Sequence, residues 1–154
     1  MSSKFVAPTI QQLFDEWDRD SKIDTTNPKA EVVGIPVLHA KYNKWLSMHK
    51  LAAVKADIEY NKLYKLKWMY YNGKMNSPEE LAALGWEPFR HTILKPDTGM
   101  FIEADQEVSD AHAKVKLHEE CVSFCTYVMK ELNSRTFQMK EWMAWERFER
   151  GENR

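Results

Sequence analysis

A chain of 154 residues and 18.2 kDa is long enough to enclose one hydrophobic core and short for a two-domain enzyme, so one domain over residues 1–154 is expected. With 44% hydrophobic and 12% aromatic residues but only five Gly and six Pro, the composition excludes disordered, collagen-like and low-complexity classes. The net charge of −1 conceals a sorting. Residues 41–74 carry eight lysines against Asp57 and Glu59 (+6), and residues 75–111 carry eight carboxylates against Arg90 and Lys95 (−6). Adjoining blocks of equal and opposite charge point to nucleic acid or to charge-complementary association.

The first element expected is a helix over residues 9–21. Thr9 and Gln12 stand as a capping box, and Ile10, Leu13, Phe14 and Trp17 form an i, i+3, i+4, i+7 stripe. Residues 24–36 read as a connection because they hold Pro28, Gly34 and Pro36 and the Thr25-Thr26-Asn27-Pro28 turn cluster. A long basic helix over 36–71 follows, opened by Pro36 and stopped by Asn72-Gly73. An acidic segment over 75–103 contains a short helix, with Ser77 as N-cap, Pro78 in the first turn and Gly85 as stop. A β-hairpin is expected after it, residues 92–95 and 100–103 pairing around Pro96-Asp97-Thr98-Gly99.

C-terminal helices are expected over 104–151, broken at Asn133-Ser134. Val108, Ala111, Val115, His118, Val122, Cys125, Met129 and Leu132 step by alternate threes and fours, a heptad seam. Leu117, Cys121, Phe124 and Val128 make a second stripe beside it. Two apolar faces favour self-association, for which Val108, Val115, Val122, Cys125, Met129 and Leu132 are the candidate residues. The fold class expected is therefore mostly α, with long helices and one β-hairpin, assembling as a homo-oligomer through the C-terminal helices. No apolar run approaches the roughly 18 residues of a membrane span, and the two cysteines fit buried hydrophobes of a reducing, intracellular compartment.

Enzyme signatures are not evident: there is no phosphate-cradling glycine loop, GxSxG elbow, HExxH or CxxC, so no catalytic residue is assigned. His118, Cys121 and Cys125 share a helical face and make the one metal candidate, but they coincide with the apolar stripes and read better as core; no cofactor or metal is expected. Asp105 and Glu107 read as carboxylates favoured in the first turn of a helix. The most informative stretch is residues 62–74, where Lys62, Lys65, Lys67 and Lys74 interleave with Tyr64, Trp68, Tyr70 and Tyr71. Lysines neutralise phosphates by counterion release and aromatic rings stack on bases of any sequence, a combination suited to single-stranded nucleic acid. The bland alternative is a solvated lysine face with its aromatics in the core.

In order along the chain, Lys44-Trp45-Leu46 with His49, Lys65-Leu66-Lys67, Tyr70-Tyr71-Asn72-Gly73, Ala104-Asp105 with Glu107-Val108, Phe124-Cys125, Ser134-Arg135 with Phe137 and Lys140, and Phe148-Glu149 with Gly151 resemble the UvsY-type recombination mediator family of T4-like bacteriophages. That resemblance implies a non-enzymatic, phage-encoded factor acting in the host cytoplasm in homologous recombination, repair and replication. It would bind single-stranded DNA, form a ring-like homo-oligomer of six or seven subunits (a hexamer or heptamer), and help a RecA-like recombinase displace the single-strand-binding protein as the presynaptic filament forms. The family's basic DNA-binding pair falls on Lys65 and Lys67. Residues 77–89 match nothing in the family pattern. Competing readings are a purely structural oligomer or protein-interaction scaffold, a small metalloenzyme, and a double-stranded-DNA regulator, the last disfavoured because no helix-turn-helix spacing is evident.

Overall fold

The computed structural model describes residues 6–152. Among these residues are five α-helices and one 3-10 turn, and no strand: α1 (Ile10–Asp20), α2 (Pro28–Tyr71), α3 (Pro78–Leu84), the 3-10 turn (Lys95–Asp97), α4 (Thr98–Glu103) and α5 (Gln106–Glu149). None of these helices is long and apolar enough to cross a membrane. The chain divides into two compact units, one formed by residues up to Leu51 and from Leu117 onward, the other by Ala52–Lys116. Helices α2 and α5 each contribute to both.

The start and stop chemistry is largely local. The Thr9 hydroxyl accepts from the Gln12 amide at 3.2 Å while the Gln12 side chain accepts from the Thr9 amide at 2.8 Å, the reciprocal capping box of α1. Gly73, Gly85 and Gly151 end α2, α3 and α5 with φ of +68°, +72° and +70°, a region where a Cβ is penalised. Helix α2 begins at Pro28, eight residues before the expected start. Asn27 caps it, its side chain accepting from the Ala30 amide at 3.3 Å, so Pro28 takes the first-turn role. Gly34 and Pro36 are then carried inside a 44-residue helix. Asn133-Ser134 does not break α5 either. Neither residue forbids helix, and buried Leu132, Arg135 and Met139 hold the backbone in register on both sides.

The expected hairpin is absent. Residues 98–103 instead form α4, which puts Thr98 and Ile102, four apart, together on one buried face. Strand pairing would have needed further strands for stability, and there are none to join among the described residues. The ring-like assembly expected through the C-terminal helices is likewise unsupported. Of the residues assigned to glue it, Val108, Val115, Cys125 and Leu132 are buried within the chain itself and Val122 and Met129 are half-buried, so the heptad seam is consumed by intramolecular packing.

The first unit packs Leu13 of α1 against Cys121 and Cys125 of α5, and Tyr42 of α2 against Val128 and Leu132. Its polar groups are matched. Lys41 bridges Glu16 and Asp20 at 2.6 and 2.7 Å, Tyr42 donates its hydroxyl to Asp20, and Arg135 donates to the Asp20 and Ser21 carbonyls at 2.8 and 3.0 Å, closing the C-terminal end of α1. Burial and the Asp20 carboxylate push the Tyr42 phenol far above its ordinary range. The second unit gathers Met75, Leu81 and Trp86 against Leu63, Leu66, Met69 and Tyr70.

Candidate nucleic-acid interface

The segment singled out in the sequence forms the last three turns of α2 and its stop, all within the second unit. A helix turns by about 100° per residue, so its four lysines cannot share one face. Lys62, Lys65 and Lys74 are exposed and form no ion pair among the described residues. Trp68 keeps 38% of its surface exposed, with the Lys74 ammonium 4.7 Å from its ring centroid. Tyr70 and Tyr71 are half-buried.

Lys67 faces the other way. Only 4% exposed, its ammonium sits 2.9 Å from Asp105 Oδ2 and 3.4 Å from Glu107 Oε1, and 4.0 Å from the ring centroid of Trp86. Each acceptor is held by a second donor, because the Tyr71 hydroxyl donates to Asp105 Oδ2 at 2.7 Å and the Trp86 indole N–H donates to Glu107 Oε1 at 2.8 Å. The other Asp105 oxygen accepts from the Glu107 and Val108 amides, so the same carboxylate caps the start of α5. Burial raises the Asp105 carboxyl, but the hydrogen bonds from Tyr71 and Lys67 outweigh it and hold the group below its ordinary value. Burial, then the Asp105 hydrogen bond, pushes the Tyr71 phenol well up. Lys67 and Tyr71 are thus spent inside the unit, and the basic pair of the sequence divides into an outward Lys65 and an inward Lys67.

Beside this cage lies a surface that residue spacing did not reveal. Gly85 turns the chain back, the Trp86 amide closing on the Leu81 carbonyl at 2.9 Å, and Phe89 joins Tyr70, Tyr71 and Phe101 in a ring cluster with centroids 5.0 to 6.2 Å apart. An open groove of about 720 Å³ runs along it, lined by Tyr70 and residues 87–91. The one signal in the sequence was Trp86 and Phe89 directly after a glycine stop, too short a pattern to assign.

The metal candidate does not assemble. Cys121 and Cys125 lie in the apolar core with Leu13, where burial raises both thiols, Cys125 to about 11, and no group of three ligands suited to a metal ion occurs among the described residues. His118 Nδ1 instead faces His49 Nδ1 at 3.1 Å. His49 Nε2 lies 2.9 Å from the Pro8 carbonyl, which can only accept, so His49 donates there and accepts from His118.

These features define an all-helical protein with a basic, aromatic helix end at its surface and a paired, buried cation behind it. The chain belongs to the UvsY family: the family model described as "Recombination, repair and ssDNA binding protein UvsY" matches residues 16–152. It is therefore a member of a non-enzymatic family of recombination and single-stranded-DNA-binding proteins. Three crystal structures of the bacteriophage T4 recombination mediator protein UvsY share its fold, with TM-scores of 0.78, 0.79 and 0.79 at 20%, 20% and 19% identity. They cover 89%, 92% and 90% of this chain and 98%, 98% and 97% of their own. No curated protein sequence matches the chain.

Proposed function

We propose that this protein is a recombination mediator that binds single-stranded DNA through Lys62, Lys65 and Lys74 with Trp68 and Tyr70, and promotes loading of a RecA-like recombinase onto strands covered by single-strand-binding protein in phage-infected cells. Family membership and the T4 fold support the class; one observation carries the site. At the end of α2, the lysines without carboxylate partners are the exposed ones, and the cation that is paired is the buried one. Unpaired ammonium groups are available to neutralise phosphates, and the cations condensed on the strand that are then released drive salt-dependent binding. The exposed Trp68 ring supplies a stacking face that accepts any base. Lys67 serves by holding α5 and the Trp86 segment in place behind that surface.

The test is oligo-dT binding by fluorescence anisotropy across a salt series. Lys62→Ala with Lys65→Ala should weaken binding and lower the slope of log K against log salt by about 1.4, at roughly 0.7 per single-strand phosphate contact. An unchanged slope would remove both lysines from the interface. Recombinase loading is tested separately by strand-dependent ATP hydrolysis of a RecA-like partner on DNA precoated with single-strand-binding protein, where the wild-type chain should shorten the lag and the double variant should not.

A further inference from the structure

We propose that the groove lined by Tyr70, Glu87, Pro88, Phe89, Arg90 and His91 is a nucleotide subsite, holding a base of single-stranded DNA against its rings and the adjoining phosphate against Arg90; the proposal rests on the DNA-binding reading above. A space of about 720 Å³ admits a nucleotide with its hydration. The rings form one cluster around Phe89, which stands 5.7 Å from Tyr70, 5.6 Å from His91, 5.0 Å from Tyr71 and 6.2 Å from Phe101 in tilted and edge-on contacts. The Tyr70 hydroxyl donates to the Glu87 carbonyl at 2.5 Å, tying residues 86–91 to the last turn of α2, so the platform is fixed before any ligand arrives. Arg90 and His91 are exposed, and Arg90 forms no ion pair among the described residues. A planar guanidinium is suited both to stacking on a base and to two-point contact with phosphate.

The groove also adjoins the interface assigned to α2, because Tyr70 lines it and belongs to the last turn of that helix. Its polar lining, with an unpaired cation beside aromatic edges, matches the recurring design of single-strand-binding surfaces better than that of a peptide groove. One feature opposes the ligand: the exposed Glu87 carboxylate stands at the rim and repels phosphate. That opposition gives the proposal its sharpest readout.

The experiment pairs anisotropy titrations with photo-crosslinking of an oligo-dT carrying 5-iodouracil, which couples to aromatic rings stacked on the base. Expected are an adduct on residues 86–91 or Tyr70, a loss of about tenfold in affinity with a salt slope lower by about 0.7 for Arg90→Ala, and tighter binding for Glu87→Gln. Both positions are exposed, and thermal melts at the wild-type temperature establish that the variants fold. Wild-type binding by Arg90→Ala and Glu87→Gln, with no adduct in the groove, overturns the subsite. If Lys62→Ala with Lys65→Ala still loses affinity in that event, the α2 interface survives and only the groove is withdrawn; if none of these changes matters, both readings fail together.

Discussion

Removing the Lys67 ammonium should damage stability rather than DNA contact. The Lys67 and Asp105 side chains are 5% and 9% exposed, so their attraction is little screened and either group alone would be a charge held away from water. Glu107, at 54% exposure, adds little by comparison. Lys67→Ala leaves Asp105 facing only Tyr71 and the amides at the start of α5, and it strips the methylenes that cover Trp86. Breaking a buried pair of this kind costs about 3–5 kcal/mol. For a chain of this length each kcal/mol moves the melting temperature by roughly 2–4 °C, so a fall of about 10 °C is expected. The double change Lys67→Met with Asp105→Asn removes both charges and should lose much less than the two single losses combined.

The acid dependence has a fixed sign. Asp105 in the folded protein titrates below its ordinary 3.8, so the pair's contribution is fully present above that pH and is lost as pH falls through the lower folded value. Urea midpoints of wild type and Lys67→Ala should therefore differ most above about pH 5 and draw closer only as pH falls below 3.8, leaving the part owed to lost packing on Trp86. A variant that melts with wild type while losing oligo-dT affinity would refute the argument and return Lys67 to the DNA surface.

Three further outcomes follow from the first unit. Leu13→Ala empties a fully buried position against Cys121 and Cys125 and should cost about 2–5 kcal/mol, read from urea denaturation, with oligo-dT affinity unchanged under conditions where the variant is folded. His49 is held below its ordinary 6.5 by burial, against the Pro8 carbonyl and with help from His118, so its neutral form stabilises the fold fully above about pH 6.5 and less as pH falls through the depressed value. His49→Gln should flatten the decline of the urea midpoint between pH 7.5 and 5. Cys121 and Cys125, buried and with raised thiol pKa, should react with a disulfide reagent at pH 8 only as fast as the protein opens, and both should become reactive together in urea.

What could be read from sequence was whatever a few neighbouring residues decide. Thr9 with Gln12, Ser77 with Pro78, and the helix-ending Gly73 and Gly85 each act within one turn, and each stands where its spacing placed it. The errors arose where distant packing decides. Pro36 and Asn133 disfavour helix locally, yet Tyr42 on one side and Leu132 and Met139 on the other are buried firmly enough to carry the helix through. Residues 92–103 have strand-favouring composition, but burying Ile102 and Thr98 on one turn outweighs it. The heptad seam was real as a pattern, while its partner proved to be the same chain. At the interface, exposure divided lysines that composition had grouped: Lys65 and Lys67 are two apart, hence some 200° apart around the axis, and only a known helix phase separates them.

The opposed charge blocks take on a definite meaning from these contacts. Had the +6 and −6 segments neutralised each other by surface pairing, the lysines of α2 would be matched one by one with carboxylates. Instead Lys67 pairs with Asp105 and Glu107 of the acidic block in a buried knot, while Lys41 is paired outside that block, with Glu16 and Asp20. A buried pair is nearly indifferent to salt, whereas exposed ammonium groups are fully subject to it. The second unit therefore keeps the electrostatics that hold it together apart from the electrostatics available to a polyanion. Under the proposed function, a grip on a strand made by those ammonium groups weakens as ionic strength rises while the fold holds, as handing a strand to another protein requires.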